Sequence, residues 1–257
     1  MGLTSLFLFT LLGGLAAGLY AAETFLRRKR EGERPWLISA VVVVLFAIGL
    51  IAATTHIHSI PRAFESLVSG TVNFGSGMIW EVVVAGIFLI LAVIDLIVSL
   101  VKKSSPFVLR VITAVVGVAA IVLMGTAYIS VYGNAVWTNA LATILVFVAG
   151  SLSMGVALFA LLAKADYRES TLRVTSLTIN VVLVVAFGLE IAAFMGAGFS
   201  PVTQIVALVV APVVSLGLAA FASKIDNKNM LAVAVCVATL VGVAVARYAF
   251  YATCTVM

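Results

Sequence analysis

The 257 residues are 64% hydrophobic and 10% charged, with a mean hydropathy of +1.27, well above the roughly 45–50% apolar share of soluble domains. This excludes a soluble fold and makes the lipid bilayer the relevant solvent. The formal net charge of +5 comes mainly from Lys and Arg in short loops between apolar runs, so it carries topology and does not point to nucleic acid.

A spanning helix needs about 20 apolar residues. The chain therefore reads as an all-α polytopic membrane bundle, a single transmembrane domain over residues 1–257. The first apolar stretch, 3 to 26, has no basic residue before it, is too long for a signal h-region and is followed by Arg27-Arg28-Lys29-Arg30. It is expected to be retained as a helix. Further spans are expected at 37 to 59, 78 to 101, 107 to 131, 139 to 163, 172 to 197, 201 to 223 and 230 to 252.

Eight spans put both termini on one side. The connectors after spans one, three, five and seven carry Arg27, Arg28, Lys29, Arg30 and Arg34, then Lys102 and Lys103, then Lys164, Arg168 and Arg173, then Lys224 and Lys228. Arg110 opens span four on that same side, and only Arg62 and Arg247 fall opposite. The positive-inside rule then places both termini outside. The second connector, from about Ile60 to Gly77, is long and nearly uncharged, and is expected to fold back over the bundle. Gly14 with Gly18, and Ser151 with Gly155, are small residues at spacing four that let helices approach closely.

Ionisable groups inside spans are expensive and are functional hypotheses by default. Glu23, four residues before Arg27, is explained by an i,i+4 pair. Glu81, Asp95, Glu190 and Arg247 remain, with His56 near the outer end of span two. By depth, His56, Glu81, Tyr128, Tyr132, Arg247, Phe250 and Tyr251 all lie toward the outer face, and Arg62 and Trp137 lie in outer loops. Such a set can hold a planar ring bearing two oxygens and accept protons from it. For the aromatics the alternative is the interfacial belt common to membrane proteins. Asp95 follows Glu81 by 14 residues, about 21 Å deeper on the same helix face. It is either part of a proton path or paired with Lys102 or Arg110, and the pairing is the simpler reading. Glu190 belongs to the outer site or bonds a neighbouring helix.

Two histidines, His56 and His58, are too few and wrongly spaced to ligate one haem iron, since two helical positions turn the ring by about 200°. Cys236 and Cys254 form no CxxC and read as packing residues. No haem and no iron–sulfur cluster is expected in this chain, so any electrons must pass to a partner.

The stretch His56-Ile57-His58-Ser59-Ile60-Pro61-Arg62-Ala63-Phe64-Glu65-Ser66-Leu67, followed by Trp80-Glu81, resembles the signature of the DmsC-like membrane-anchor subunits of dimethyl sulfoxide reductases. Tyr128 to Trp137-Thr138 and Arg247-Tyr248-Ala249-Phe250-Tyr251 are similar to later segments of that family. The resemblance implies a respiratory heterotrimer in which this subunit binds menaquinol, a ferredoxin-like iron–sulfur subunit takes the electrons, and a molybdopterin subunit reduces a terminal acceptor. It also implies His56 and Glu81 as quinol ligands and proton acceptors, with Arg62 supporting them. Two other classes fit the residues themselves: a small-solute or ion transporter using Glu81, Asp95 and Glu190, and an anchor with no quinol site. Of the chain's five prolines only Pro212 lies well inside a span, which weighs against the broken helices of transporters.

Overall fold

The computed structural model describes residues 2–27, 34–55, 65, 68–70, 75, 77–131 and 133–255. Among these, eight helices are long and apolar enough to cross a membrane. They are α1 (Gly2–Leu26), α2 (Leu37–Thr54), α3 (Gly77–Lys102), α4 (Phe107–Thr126), α5 (Ala140–Leu162), α6 (Ser170–Gly196), α7 (Val202–Ala220) and α8 (Lys228–Ala252). The fold class expected from composition is thus the one observed, and most helix ends agree with the sequence to within a few residues. Two ends are shorter than expected. α2 stops at Thr54, and α4 stops at Thr126, so that Tyr128 lies in the turn beyond it. Most of the connector between α2 and α3 lies outside the described residues.

The helices form two consecutive rings of four. In the first, α1 packs on α2 and α4, and α3 closes the ring by touching both α2 and α4. In the second, α5, α6, α7 and α8 repeat the same cycle of neighbours. The rings meet along α1 and α5, flanked by contacts of α1 with α8 and of α4 with α5. α1 and α5 are consequently the two most buried spans, while the other six present Val, Ile and Leu outward, as lipid-facing helices do. The first ring is filled by Tyr20, Phe46 and Phe88, with Phe46 and Phe88 edge to face at 4.9 Å.

The seam between the rings depends on small residues. A Cβ built on Gly18 would run into the carbonyl oxygen of Ser151, and one on Gly155 would run into the backbone of Gly18. The two backbones touch because neither glycine has a side chain, as the spacing of Gly14, Gly18, Ser151 and Gly155 suggested. In α7, Pro212 lies in a π-helical turn, Val209–Val213. Proline cannot donate the helical hydrogen bond, and the wider turn absorbs the loss. Gly242 of α8 packs directly against Ala211 of that turn.

One end of the bundle gathers the basic turns. There Arg110 of α4 donates to the carbonyls of Glu23 (3.0 Å) and Arg27 (2.7 Å) at the end of α1. Asp95 of α3 is fully buried and accepts hydrogen bonds from Ser39 of α2 at 2.8 Å and from Ser105. Arg168, in the turn between α5 and α6, donates to the carbonyls of Ile225 (2.6 Å) and Asp226 (3.1 Å) in the turn between α7 and α8. These bonds tie neighbouring helix ends into one surface.

Replacing Gly18 with valine is expected to lower stability by about 1–3 kcal/mol or more, because backbone cannot yield as a side chain does. Gly86→Ala, whose added Cβ meets nothing within 4 Å, should leave stability unchanged or slightly raised. Thermal unfolding of the purified chain in mild detergent measures both.

Candidate functional site

At the end of the bundle opposite the basic turns, the loop between α4 and α5 folds inward. Asn134 fixes its shape. Its Oδ1 accepts from the backbone N–H groups of Val136 and Trp137, both at 3.1 Å, and its Nδ2 donates to Thr253 Oγ1 at 3.1 Å. This is the local side-chain turn for which Asn is suited. It swings Trp137 into the bundle, where the indole N–H donates to the Phe250 carbonyl at 2.8 Å and the ring stacks on Phe250 at 5.4 Å.

Tyr128 closes the cluster from the turn after α4. It lies edge to face with Trp137 at 5.1 Å and with Tyr251 at 5.5 Å. Tyr128, Trp137 and Tyr251 are 6%, 4% and 1% exposed, so they are core residues and not an interfacial belt. The reason is polar as well as apolar. The Tyr251 hydroxyl donates to that of Tyr128 at 2.8 Å and shares a hydrogen bond of 3.0 Å with Thr10 of α1. With Tyr251 donating, the Tyr128 proton is left for another acceptor.

Glu81, near the start of α3, is 7% exposed. Its carboxylate lies within electrostatic reach of Tyr128 and Tyr251, and its Oε1 has no hydrogen-bond partner among the described residues. An orphaned buried oxygen is uncommon and calls for a ligand, a water or a proton. Asp95 sits at the other end of α3, held by its two serines, so the two carboxylates belong to different surroundings.

Arg247 of α8 is 1% exposed and is engaged by the protein itself. One guanidinium nitrogen donates to the Thr10 carbonyl. The other reaches the Phe147 carbonyl and Ser151 Oγ, each at 3.4 Å, and the group lies over the Phe147 ring at 4.3 Å. Glu190 of α6, also buried, is its nearby countercharge. Since Thr10 is on α1 and Ser151 on α5, Arg247 braces the two rings against each other just beneath the aromatic cluster. A cation at this depth is tolerated because carbonyls and a carboxylate surround it.

The structure therefore brings together Glu81, Tyr128, Trp137, Arg247 and Tyr251. His56 and Arg62 lie outside the described residues. Sequence reasoning missed Thr10 and Asn134, and read Ser151 only as a small residue at a helix contact. Asn134 had a signal in the Gly133-Asn134 pair preceding a Trp, whereas single hydroxyls in apolar helices have none.

A family model described as DMSO reductase anchor subunit (DmsC) matches residues 2–253. The chain belongs to this family. It is a membrane-anchor subunit of a DMSO reductase-type complex, and family membership implies partnership with the catalytic and iron–sulfur subunits of such a complex. No curated protein matches the chain. For a DmsC-family anchor, the grouping of polar residues at one end of the bundle is the feature its composition least explains.

Truncating Arg247 to alanine should lower stability by about 3–5 kcal/mol, because Glu190 is left buried without its countercharge. Arg247→Lys should restore only part of this, since one ammonium cannot span the carbonyls of Thr10 and Phe147. Tyr251→Phe should cost about 1–2 kcal/mol for the two hydroxyl bonds lost. Thermal unfolding followed by tryptophan fluorescence reads all three.

Proposed function

We propose that this anchor binds and oxidises menaquinol at the Glu81 end of the bundle and passes the electrons to its iron–sulfur partner subunit. The observation that carries the reading is the orphaned, buried Oε1 of Glu81 beside the linked phenols of Tyr128 and Tyr251. A dihydroxy ring supplies what this group lacks, a hydroxyl donor to an unsatisfied carboxylate oxygen, in a setting with an aromatic wall. Such a fit supports the reading, which rests also on the family resemblance of His56, Arg62 and Glu81.

Oxidising a quinol to a quinone releases two electrons and two protons. The chain would take the protons, with Glu81 and His56 as acceptors, and Tyr128 and Trp137 would line the ring. Arg62 would support the acceptors. Arg247 and Tyr251 act mainly through position, since Arg247 donates to the Thr10 and Phe147 carbonyls and Tyr251 bonds the hydroxyls of Thr10 and Tyr128. The electrons leave for the partner's ferredoxin-like clusters and from there to the molybdopterin subunit, as in anaerobic respiration. The basic turns face the cytoplasm by the positive-inside rule. That orientation puts the Glu81 end and both termini outside the cell membrane, and the protons are released there.

Glu81→Gln keeps the shape of the side chain but cannot take a proton. It is expected to abolish quinol-dependent reduction by the assembled complex while activity with an artificial electron donor persists; His56→Ala should behave alike. Full quinol turnover in both variants would remove the assignment.

A further inference from the structure

On the basic face, at the seam between the two rings, a cleft of about 290 Å³ opens among the ends of α1 and α5 and the start of α6. Its charged lining is Arg27, Lys164 and Glu169. A second hollow of about 290 Å³ is lined by Phe25, Val118, Leu152, Val156 and Ile179, among others, and shares Leu26 and Thr171 with the first. The two hollows adjoin at these residues. The hollow follows α6 from Thr171 to Ile179, about 12 Å along its axis. It exists because the glycine contact draws α1 and α5 together, leaving a furrow above them bounded by α4 and α6.

A charged mouth at the membrane surface that leads into an apolar furrow facing the bilayer matches one class of molecule. We infer that this seam is a binding site for an anionic phospholipid, with its phosphate between Arg27 and Lys164 and an acyl chain in the furrow. The inference is independent of quinol chemistry, which lies at the opposite end of the bundle.

Three features favour an anionic headgroup. Arg27 and Lys164 line the mouth beside Glu169, and basic pockets between spans are where such headgroups bind. The start of the 27-residue α6 opens into it through Thr171 and Leu172, and its N-cap residue Glu169 makes no side-chain capping bond, so the positive helix end adds to the field. Lys164 holds φ +52° just past the end of α5, in the turn where Ala165 N–H bonds back to the Ala160 carbonyl at 2.9 Å. Glycine is the unstrained residue at that position. The residue there is nonetheless a lysine that lines the cleft. Glu169, exposed at the rim, can accept from hydroxyls of a glycerol headgroup.

The test uses the purified full-length chain, delipidated in mild detergent, with thermal unfolding and native mass spectrometry as readouts. Phosphatidylglycerol should raise the melting temperature and remain bound at about one lipid per chain. Phosphatidylethanolamine and phosphatidylcholine of the same acyl composition, and inorganic phosphate, should do neither. Arg27→Gln with Lys164→Gln should weaken phosphatidylglycerol binding about 30-fold, from about fivefold per basic side chain near an anionic surface. Thr175→Trp, which fills the furrow and leaves both cations, should also weaken it, whereas Lys102→Gln with Lys228→Gln should not. Equal effects of the zwitterionic lipids, of phosphate alone, or of the control pair would overturn the inference. The comparison of lipids on the unaltered chain stands even where a variant folds poorly.

Discussion

The contact of α1 with α5 at Gly18, Ser151 and Gly155 organises the rest of the molecule. In lipid there is little hydrophobic drive to bring two apolar helices together, so close backbone packing and buried hydrogen bonds must hold them. Two glycines remove the side chains that would keep the backbones apart, and each ring of four helices then closes around one of the two touching spans. The polar brace of Arg247, Thr10, Phe147 and Ser151 crosses the same seam. It adds the directional bonds that packing alone does not provide.

From that seam the two ends of the bundle acquire different chemistry. At one end, carbonyls and serines hold Arg110, Asp95 and Arg168, and each bond ties one helix end or turn to another. At the other, Tyr128, Trp137, Phe147, Phe250 and Tyr251 form a buried aromatic cluster. It is built on residues from α5, α8 and both sides of the α4–α5 loop. Glu81 of α3 lies within electrostatic reach of Tyr128 and Tyr251, with one oxygen unsatisfied among the described residues. A membrane interior leaves few polar atoms without partners, so this atom stands apart from the carboxylate of Asp95, both of whose oxygens accept hydrogen bonds from serines.

The candidate site was partly legible before any coordinates. Counting residues from the ends of the spans gave the depth of Tyr128, Trp137, Arg247 and Tyr251, because a helix rises by a fixed distance per residue. Depth does not say which way a side chain points. The aromatics could equally have faced the interface, and only the packing of α8 against α5 and the inward turn made by Asn134 put them in the core. Arg247 read as a ligand-binding cation from its rarity, and the tertiary structure adds that its two terminal guanidinium nitrogens bond Thr10, Phe147 and Ser151. Thr10, and the bonding role of the Ser151 hydroxyl, escaped notice because a lone hydroxyl can bond its own helix backbone at little cost.

The sequence by itself determined that this is a membrane bundle of eight helices with its basic turns gathered at one end. Apolar run length and charge placement are local properties, and the bilayer imposes them on any chain that spans it. It also contained the glycine and serine spacing that permits the seam, and the residues that resemble the anchor family. Only the tertiary structure decided which helices use that spacing. It also showed that the helices group as two rings of four, that the aromatics are core, and that Arg247 is a brace while Glu81 keeps a free oxygen among the described residues. Those outcomes depend on which faces of distant helices meet, and pairings over some 240 residues, such as Thr10 with Tyr251, leave no local periodicity to read.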